Sequence, residues 1–269
     1  MSPKLLDLPS FSANPWQMSF GERAVIEGVL AQLKPELSIE IGTAEGGSLA
    51  RIAAHSNRVI SFDLVEPQAE AKALANVELR TGDSHVLLRE ELQRLAAARE
   101  EVDFILIDGD HSAEGARQDM VDVLASPAVK RTVILAHDSL NPEVRRGLDL
   151  VDYSAIEKVA WAEMDFVGGY VPAEPPLRGE CWGGLALVIV DAEGSFGPAH
   201  QGRRPQMTPL PDLIWESSEC LRQGGTVATE PPPRPSDDRA LVEEMQESLS
   251  WRVTAPLRQI SARIRRRSA

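Results

Sequence analysis

Cysteine and tyrosine are scarce, two of each in 269 residues, and the aromatics together make up 5% of the chain. Cys181 and Cys220 lie far apart without metal-ligand spacing, which excludes a disulfide framework and a zinc site and fits a reducing compartment. No apolar run reaches the ~18 residues of a membrane-spanning helix. The opening stretch MSPKLLDLPSFSANPWQMSF has no basic segment leading into an apolar one, so export by a signal peptide is not expected and a cytoplasmic protein is. Positive charge is short as well, 28 Lys and Arg against 41 Asp and Glu for a net charge of -13. That argues against a general nucleic-acid binder, which needs clustered cations to neutralise phosphates.

What the chain does contain is ordinary globular material, 43% hydrophobic and 26% charged. The length suits one large α/β domain with an appendage. Ser19 followed by Glu22 has the spacing of a capping box, and Val25, Ile26, Val29, Leu30 and Leu33 recur at helical intervals up to Pro35. The short apolar runs LSIEIG, RVISFD, NVELRTGD, VDFILID and RTVILAHD then alternate with helix-like segments, among them HVLLREELQRLAAA and AEGARQDMVDVLA. They read as parallel strands joined by right-handed crossovers. AIEKVAWAEMDF and GGLALVIVD follow with a Gly/Pro-rich loop between them, an antiparallel pair at one edge. The expectation is an α/β, doubly wound, seven-stranded domain over residues 1–195, a loop and proline-rich linker over 196–235, and an amphipathic helical tail over 236–269.

In that tail, Ser236 would cap a helix carrying Leu241, Met245 and Leu249, and Thr254 a second one with Val253, Leu257, Ile260 and Ile264 at four, three and four. From Trp251 onward there are six arginines and no acid, so the preceding residues carry -19. A basic amphipathic helix suits an anionic membrane surface at the inner face of the membrane, an acidic partner, or this protein's own acidic body.

Ligands of an open parallel sheet bind beyond the carboxyl ends of its strands, where the winding reverses. The stretch SIEIGTAEGGSLARIA reads as a strand entering a glycine turn and then a helix, whose free N–H groups suit a carboxylate or phosphate. Its spacing, Glu40-x-Gly42-x-x-x-Gly46-x-Ser48, departs from the dinucleotide fingerprint. Glu40 would face a cationic or hydroxyl-rich ligand, and Ser48 a carboxylate, a pairing that an amino acid joined to a nucleoside satisfies. Asp63 at the second strand end is placed for a ribose diol, and Asp83 with Ser84 at the third for an adenine amino group.

This ordered series from Glu40 to Asp138, with the terminal hairpin, resembles the class I S-adenosylmethionine-dependent methyltransferases. DFILIDGDHSAEGARQDM followed by ILAHDS resembles the branch of bacterial sugar O-methyltransferases and cephalosporin hydroxylase-like proteins. The resemblance implies a Rossmann-like sheet of order 3-2-1-4-5-7-6 and a cofactor held by Glu40, Gly42, Thr43, Gly46, Ser48, Asp63, Asp83, Ser84 and Asp108. It implies that Asp108, His137 and Asp138 hold Mg²⁺ or another divalent metal, with His111 as general base and Asp108 and His137 beside it at the reacting centre. His137 is a departure, since the resembled sites usually have a carboxylate or an amide there; it would favour a softer ion, or act as the base itself.

The implied reaction is O-methylation of a sugar hydroxyl in a bacterial glycan or glycosylated metabolite. Acceptor contacts are expected from the loop FVGGYVPAEPPLRGECWGG, through Tyr170, Arg178 and Trp182; the same loop suits a dimer contact, and a homo-oligomer is expected. Rival readings are a cofactor-binding scaffold without turnover, a dinucleotide oxidoreductase, and a cephalosporin hydroxylase-like enzyme, whose histidine-rich iron triad is not evident in the sequence.

Overall fold

The computed structural model describes residues 16–195 together with 214, 215, 218, 219 and 221–223; the proline-rich linker and both expected tail helices lie outside them. Seven strands form one sheet: β1 (Leu37–Ile41), β2 (Arg58–Asp63), β3 (Val77–Thr81), β4 (Phe104–Ile107), β5 (Arg131–His137), β6 (Val159–Tyr170) and β7 (Trp182–Asp191). Their order is β3-β2-β1-β4-β5-β7-β6. The first five run parallel, and β7 is inserted antiparallel to both β5 and β6. Winding therefore reverses between β1 and β4, which puts the crevice at the carboxyl ends of those two strands.

Six helices cover the faces: α1 (Phe20–Leu33), α2 (Gly47–His55), α3 (Ala69–Lys72), α4 (Ser84–Ala98), α5 (Ala113–Ala125) and α6 (Pro142–Asp149). The capping box at Ser19 and Glu22 is formed. α6 was not expected, because its eight residues between an asparagine cap and Asp149 offer too little periodicity to register as a helix. Within the stretch read as loop, 214, 215, 218, 219, 221 and 222 are helical, and the Trp215 indole donates to the Leu140 carbonyl at 3.1 Å.

Strand residues alternate between two cores. Ile39, Ile41, Ile105 and Ile107 pack under Leu88, Leu92 and Leu95 of α4 and Met120 and Val123 of α5. Phe104, Leu106 and Leu135 pack on the other face with Ile26 and Leu30 of α1 and Leu49 and Ile52 of α2. Burial on both faces explains why β1 and β4 read as continuous rather than alternating apolar runs. No helix among the described residues is long and apolar enough to cross a membrane.

The crevice is pinched at Gly42. Its N–H donates to the Phe62 carbonyl at 2.8 Å, the Asp108 N–H donates to the Ile41 carbonyl at 2.8 Å, and φ is +95°. A Cβ at this position would lie 2.0 Å from the Asp108 carbonyl oxygen. Gly42→Ala is accordingly expected to cost about 2–4 kcal/mol, summing left-handed strain and overpacking. Urea denaturation checks it: a midpoint equal to that of the parent protein would show that β1 and β4 do not need this contact.

Candidate active site

After β1 the chain turns through Gly42, Thr43, Ala44, Glu45 and Gly46 into α2, with positive φ at Gly42, Ala44 and Gly46. Asp63, closing β2, fastens that turn: its Oδ2 accepts the N–H groups of Thr43 at 2.9 Å and Ala44 at 2.8 Å, and its Oδ1 that of Val65. Glu40 points to the α2 side of the sheet and is fully buried. Its two oxygens accept the hydroxyls of Ser48 at 2.6 Å and Ser61 at 2.7 Å. Burial pushes this carboxyl up to about 8 against the two serine bonds, and the charges of Asp108 and Asp63 add to the rise. Its protonated form therefore predominates at neutral pH.

An open cleft of about 340 Å³ lies over the turn, with Gly42, Thr43, Ser48 and Asp108 on one wall and Trp16 and Met18 on the other. Asp83 caps α4 by accepting the His85 N–H at 3.0 Å, and Ser84 opens that helix.

Next to the cleft, the ends of β4 and β5 bring together three carboxylates and two imidazoles. His137 Nδ1 lies 3.0 Å from Asp108 Oδ1 and 3.3 Å from Asp138 Oδ2, and its Nε2 faces Glu22 Oε1 at 3.4 Å. His111 Nε2 lies 3.1 Å from Asp138 Oδ2 and 3.6 Å from Asp108 Oδ1. Asp138 has φ +55°, an uncommon conformation for a non-glycine residue, and its other oxygen accepts the Gly183 N–H. Glu22 accepts the Gly184 N–H.

The charges hold one another. Burial opposes a charged His137, but Asp108, Asp138 and Glu22 outweigh it and raise its pKa well above the usual histidine value. Hydrogen bonds to Asp108 and Asp138 raise His111 to about 10. Burial would raise Asp138, yet His111 and His137 leave it well below the usual carboxylate range.

Ligand atoms of Asp108, His137 and Asp138 all lie within 4.8 Å of one another, close enough to share one divalent cation. Two carboxylates and one imidazole are a donor set for Mg²⁺ or Mn²⁺, with the nitrogen extending the choice to softer ions. The buried His137 Nε2 has no hydrogen-bond donor or acceptor within bonding geometry among the described residues. The residues present fit a cation.

Residues 39–139 match the family model described as "Methyltransferase domain". The matched stretch runs from β1 through the end of β5 and takes in both the glycine turn and the acid–histidine cluster. No curated protein matches the sequence. Among solved structures, it is similar to the O-methyltransferase from Bacillus cereus in complex with S-adenosylhomocysteine, at 20% identity and TM-score 0.45, over 67% of this chain and 84% of that one. A putative O-methyltransferase from Klebsiella pneumoniae is 17% identical, TM-score 0.46, over 66% and 83%. The O-methyltransferase TomG from Streptomyces achromogenes is 16% identical, TM-score 0.47, over 65% and 81%.

Of the residues expected at the site, Gly42, Thr43, Ser48 and Asp108 line the cleft. Glu40 and Asp63 serve the same turn from behind, bonded to protein groups, while Gly46 caps α2 and Asp83 caps α4. Asp108, His111, His137 and Asp138 converge. Trp182 meets the His111 ring edge-on at 5.8 Å, and Tyr170 packs beside Gly183, where the charges of Asp138 and Glu22 add to the burial that raises its pKa. Arg178 is exposed on the loop between them. Sequence reasoning missed Glu22 as a site residue, because the capping box accounted fully for its position. It also passed over Trp16 and Met18, and the Gly183–Gly184 pair whose N–H groups hold two of the carboxylates.

Glu40 gives a signed test. A carboxyl raised in the folded state favours folding at low pH, so its stabilising effect is lost as pH climbs from the unfolded value near 4.5 to the folded value near 8. Glu40→Gln has no such loss. Its stability relative to the parent protein should rise by about 2–4 kcal/mol between pH 4.5 and 8 and level off above that. Parallel urea titrations at pH 5 and 8 decide the matter; a constant difference would mean Glu40 is ionised in the fold.

Proposed function

We propose that the protein is an O-methyltransferase acting on a hydroxyl of a sugar in a bacterial glycan or glycosylated metabolite, with a divalent cation assisting. The observation that carries this reading is the convergence of Asp108, His111, His137 and Asp138 at the ends of β4 and β5, with Asp108 itself in the wall of the cleft. The glycine turn and Ser48 suit the amino-acid end of the cofactor, and Trp182 beside His111 and Tyr170 beside Gly183 supply aromatic surface of the kind that suits a sugar ring. The two scattered cysteines favour a cytoplasmic setting.

Methyl transfer is an in-line displacement. The acceptor oxygen forms a bond to the sulfonium methyl carbon, the carbon–sulfur bond breaks with its electrons going to sulfur, and the hydroxyl proton passes to a base. S-adenosylmethionine supplies the methyl group and the neutral leaving group. His111 is the candidate base, since its ring is 42% exposed beside the cleft whereas His137 is 6% exposed. As long as Asp108 and Asp138 hold it as an imidazolium, it has no free lone pair to accept that proton. Asp108, His137 and Asp138 would hold the cation, whose positive charge would favour a deprotonated acceptor hydroxyl and an uncharged His111 beside it.

Methyl release measured over a panel of glycans tests the reading. Asp108→Ala and Asp138→Ala are each expected to lower kcat/KM by at least about 100-fold, and His111→Gln by about 10²–10⁴-fold with S-adenosylhomocysteine affinity within threefold of the parent. Chelation should abolish turnover, and Mg²⁺ or Mn²⁺ restore it. If both alanine variants kept their activity in chelator, the cation would have no part; cofactor binding without turnover on any glycan would remove the sugar assignment.

A further inference from the structure

A second acid–histidine group lies on the opposite side of the β4–α5 loop, outside the reacting centre. Asp119 of α5 is fully buried, and neither of its carboxylate oxygens accepts a hydrogen bond from a described residue. The group facing it is the His85 imidazole, with Nδ1 at 3.1 Å, and the far side of that ring turns to Asp110, with Nε2 3.8 Å from Oδ2. Burial raises the Asp119 carboxyl to about 6 even with His85 beside it, and Asp122 and Asp110 add to the rise. As packing, this is a poor arrangement: a leucine would fill the same space without desolvating a carboxylate. What a carboxylate adds is a fixed direction for the imidazole.

The two ends of the pair belong to different strand-end segments, one after β3 and the other after β4, where Asp108 lines the cleft. His85 follows Asp83 and Ser84 in the first turn of α4, and its N–H is the one Asp83 caps. Asp110 sits between Asp108 and His111, its oxygens accepting the N–H and hydroxyl of Ser112, and its carboxyl packs so closely on α5 that a Cβ at Gly115 would lie 2.3 Å from it. Gly109 threads the space left over, where a Cβ would meet Ile41 at 2.9 Å and Asp119 Oδ2 at 3.4 Å.

We propose that Asp119 and His85 form a positioning pair that joins the β3–α4 turn to the β4–α5 loop as one cofactor-binding surface. The proposal rests on reading the strand-end cleft as the S-adenosylmethionine site. Calorimetric titration of the full chain with S-adenosylhomocysteine tests it on the parent protein, Asp119→Asn, His85→Gln and the double variant. Stoichiometry reports the folded fraction and Kd reports positioning. Each single variant should raise Kd about tenfold at unchanged stoichiometry, and the double variant no further than either single one. Multiplying effects in the double variant, an unchanged Kd in the single variants, or a loss of stoichiometry and melting temperature at constant Kd would each overturn the pairing. A parent protein that binds no S-adenosylhomocysteine, with every variant equally silent, would overturn the cofactor assignment itself and the pair's role with it.

Discussion

The contact on which the site depends is the close approach of β1 and β4 at Gly42. Winding reverses between these strands, so their following helices leave to opposite faces and the carboxyl ends would diverge. The Asp108 N–H, donating to the Ile41 carbonyl, extends the β1–β4 ladder one residue past the strands and draws the two ends together, while the Gly42 N–H ties the same point to β2 through the Phe62 carbonyl. A hydrogen atom is the largest substituent that fits against the Asp108 carbonyl. The consequence is geometric: Thr43 leaves one strand and Asp108 the other at nearly the same point, so one cleft receives both.

Within a few residues of that point, carboxyls are driven in opposite directions by environment. Glu40 is buried with two serine hydroxyls and no cation, and desolvation wins. Asp138 is also buried, but two imidazoles and a backbone N–H face it, and their attraction exceeds the desolvation cost. The neutral acid stiffens the turn under the cleft without adding charge to it. The ionised acids are kept where a cation or an acid–base exchange can use them. This separation of roles follows from which face of which strand each residue occupies, since Glu40 looks towards α2 while Asp108 and Asp138 lie beyond the strand ends.

Much of this was legible in the sequence because parallel strands buried on both faces leave unmistakable apolar runs, and their last residues fall at the crevice by topology alone. RVISFD and AEGARQDMVDVLA coincide with β2 and α5. Asp63 and Asp108 were placed correctly at strand ends, but whether a carboxylate faces a ligand or a backbone N–H is settled by turn geometry, which the letters do not carry; Asp63 faces Thr43 and Ala44. Glu22 was invisible for a different reason. It lies far from the cluster in sequence, and its second role appears only when β5 brings His137 and β7 brings Gly184 to its side. Asp119 has the periodicity of a core position and an identity that does not belong in one, a conflict that periodicity analysis records as noise.

The β4–α5 loop is thus held from both sides, by His137 on Asp108 and Asp138 on His111 at one flank and by His85 on Asp110 at the other. Moving it would break charged contacts on one flank or the other, which is expensive where the partners are buried. The Trp16–Met18 side of the cleft is held through α1. Trp16 and Met18 are fixed through Arg23, whose guanidinium donates to both carbonyls and lies over the Trp16 ring at 5.4 Å, while Gln17 reaches across to Glu45 at 2.8 Å at the surface. Arg23 and Glu22 are neighbours on α1, one tied to the cleft wall and the other to His137. A displacement of that helix would therefore alter the mouth of the cleft and the charge beside the Asp108–His137–Asp138 cluster together, whereas a displacement of the β4–α5 loop would have to pull against two acid–histidine groups at once.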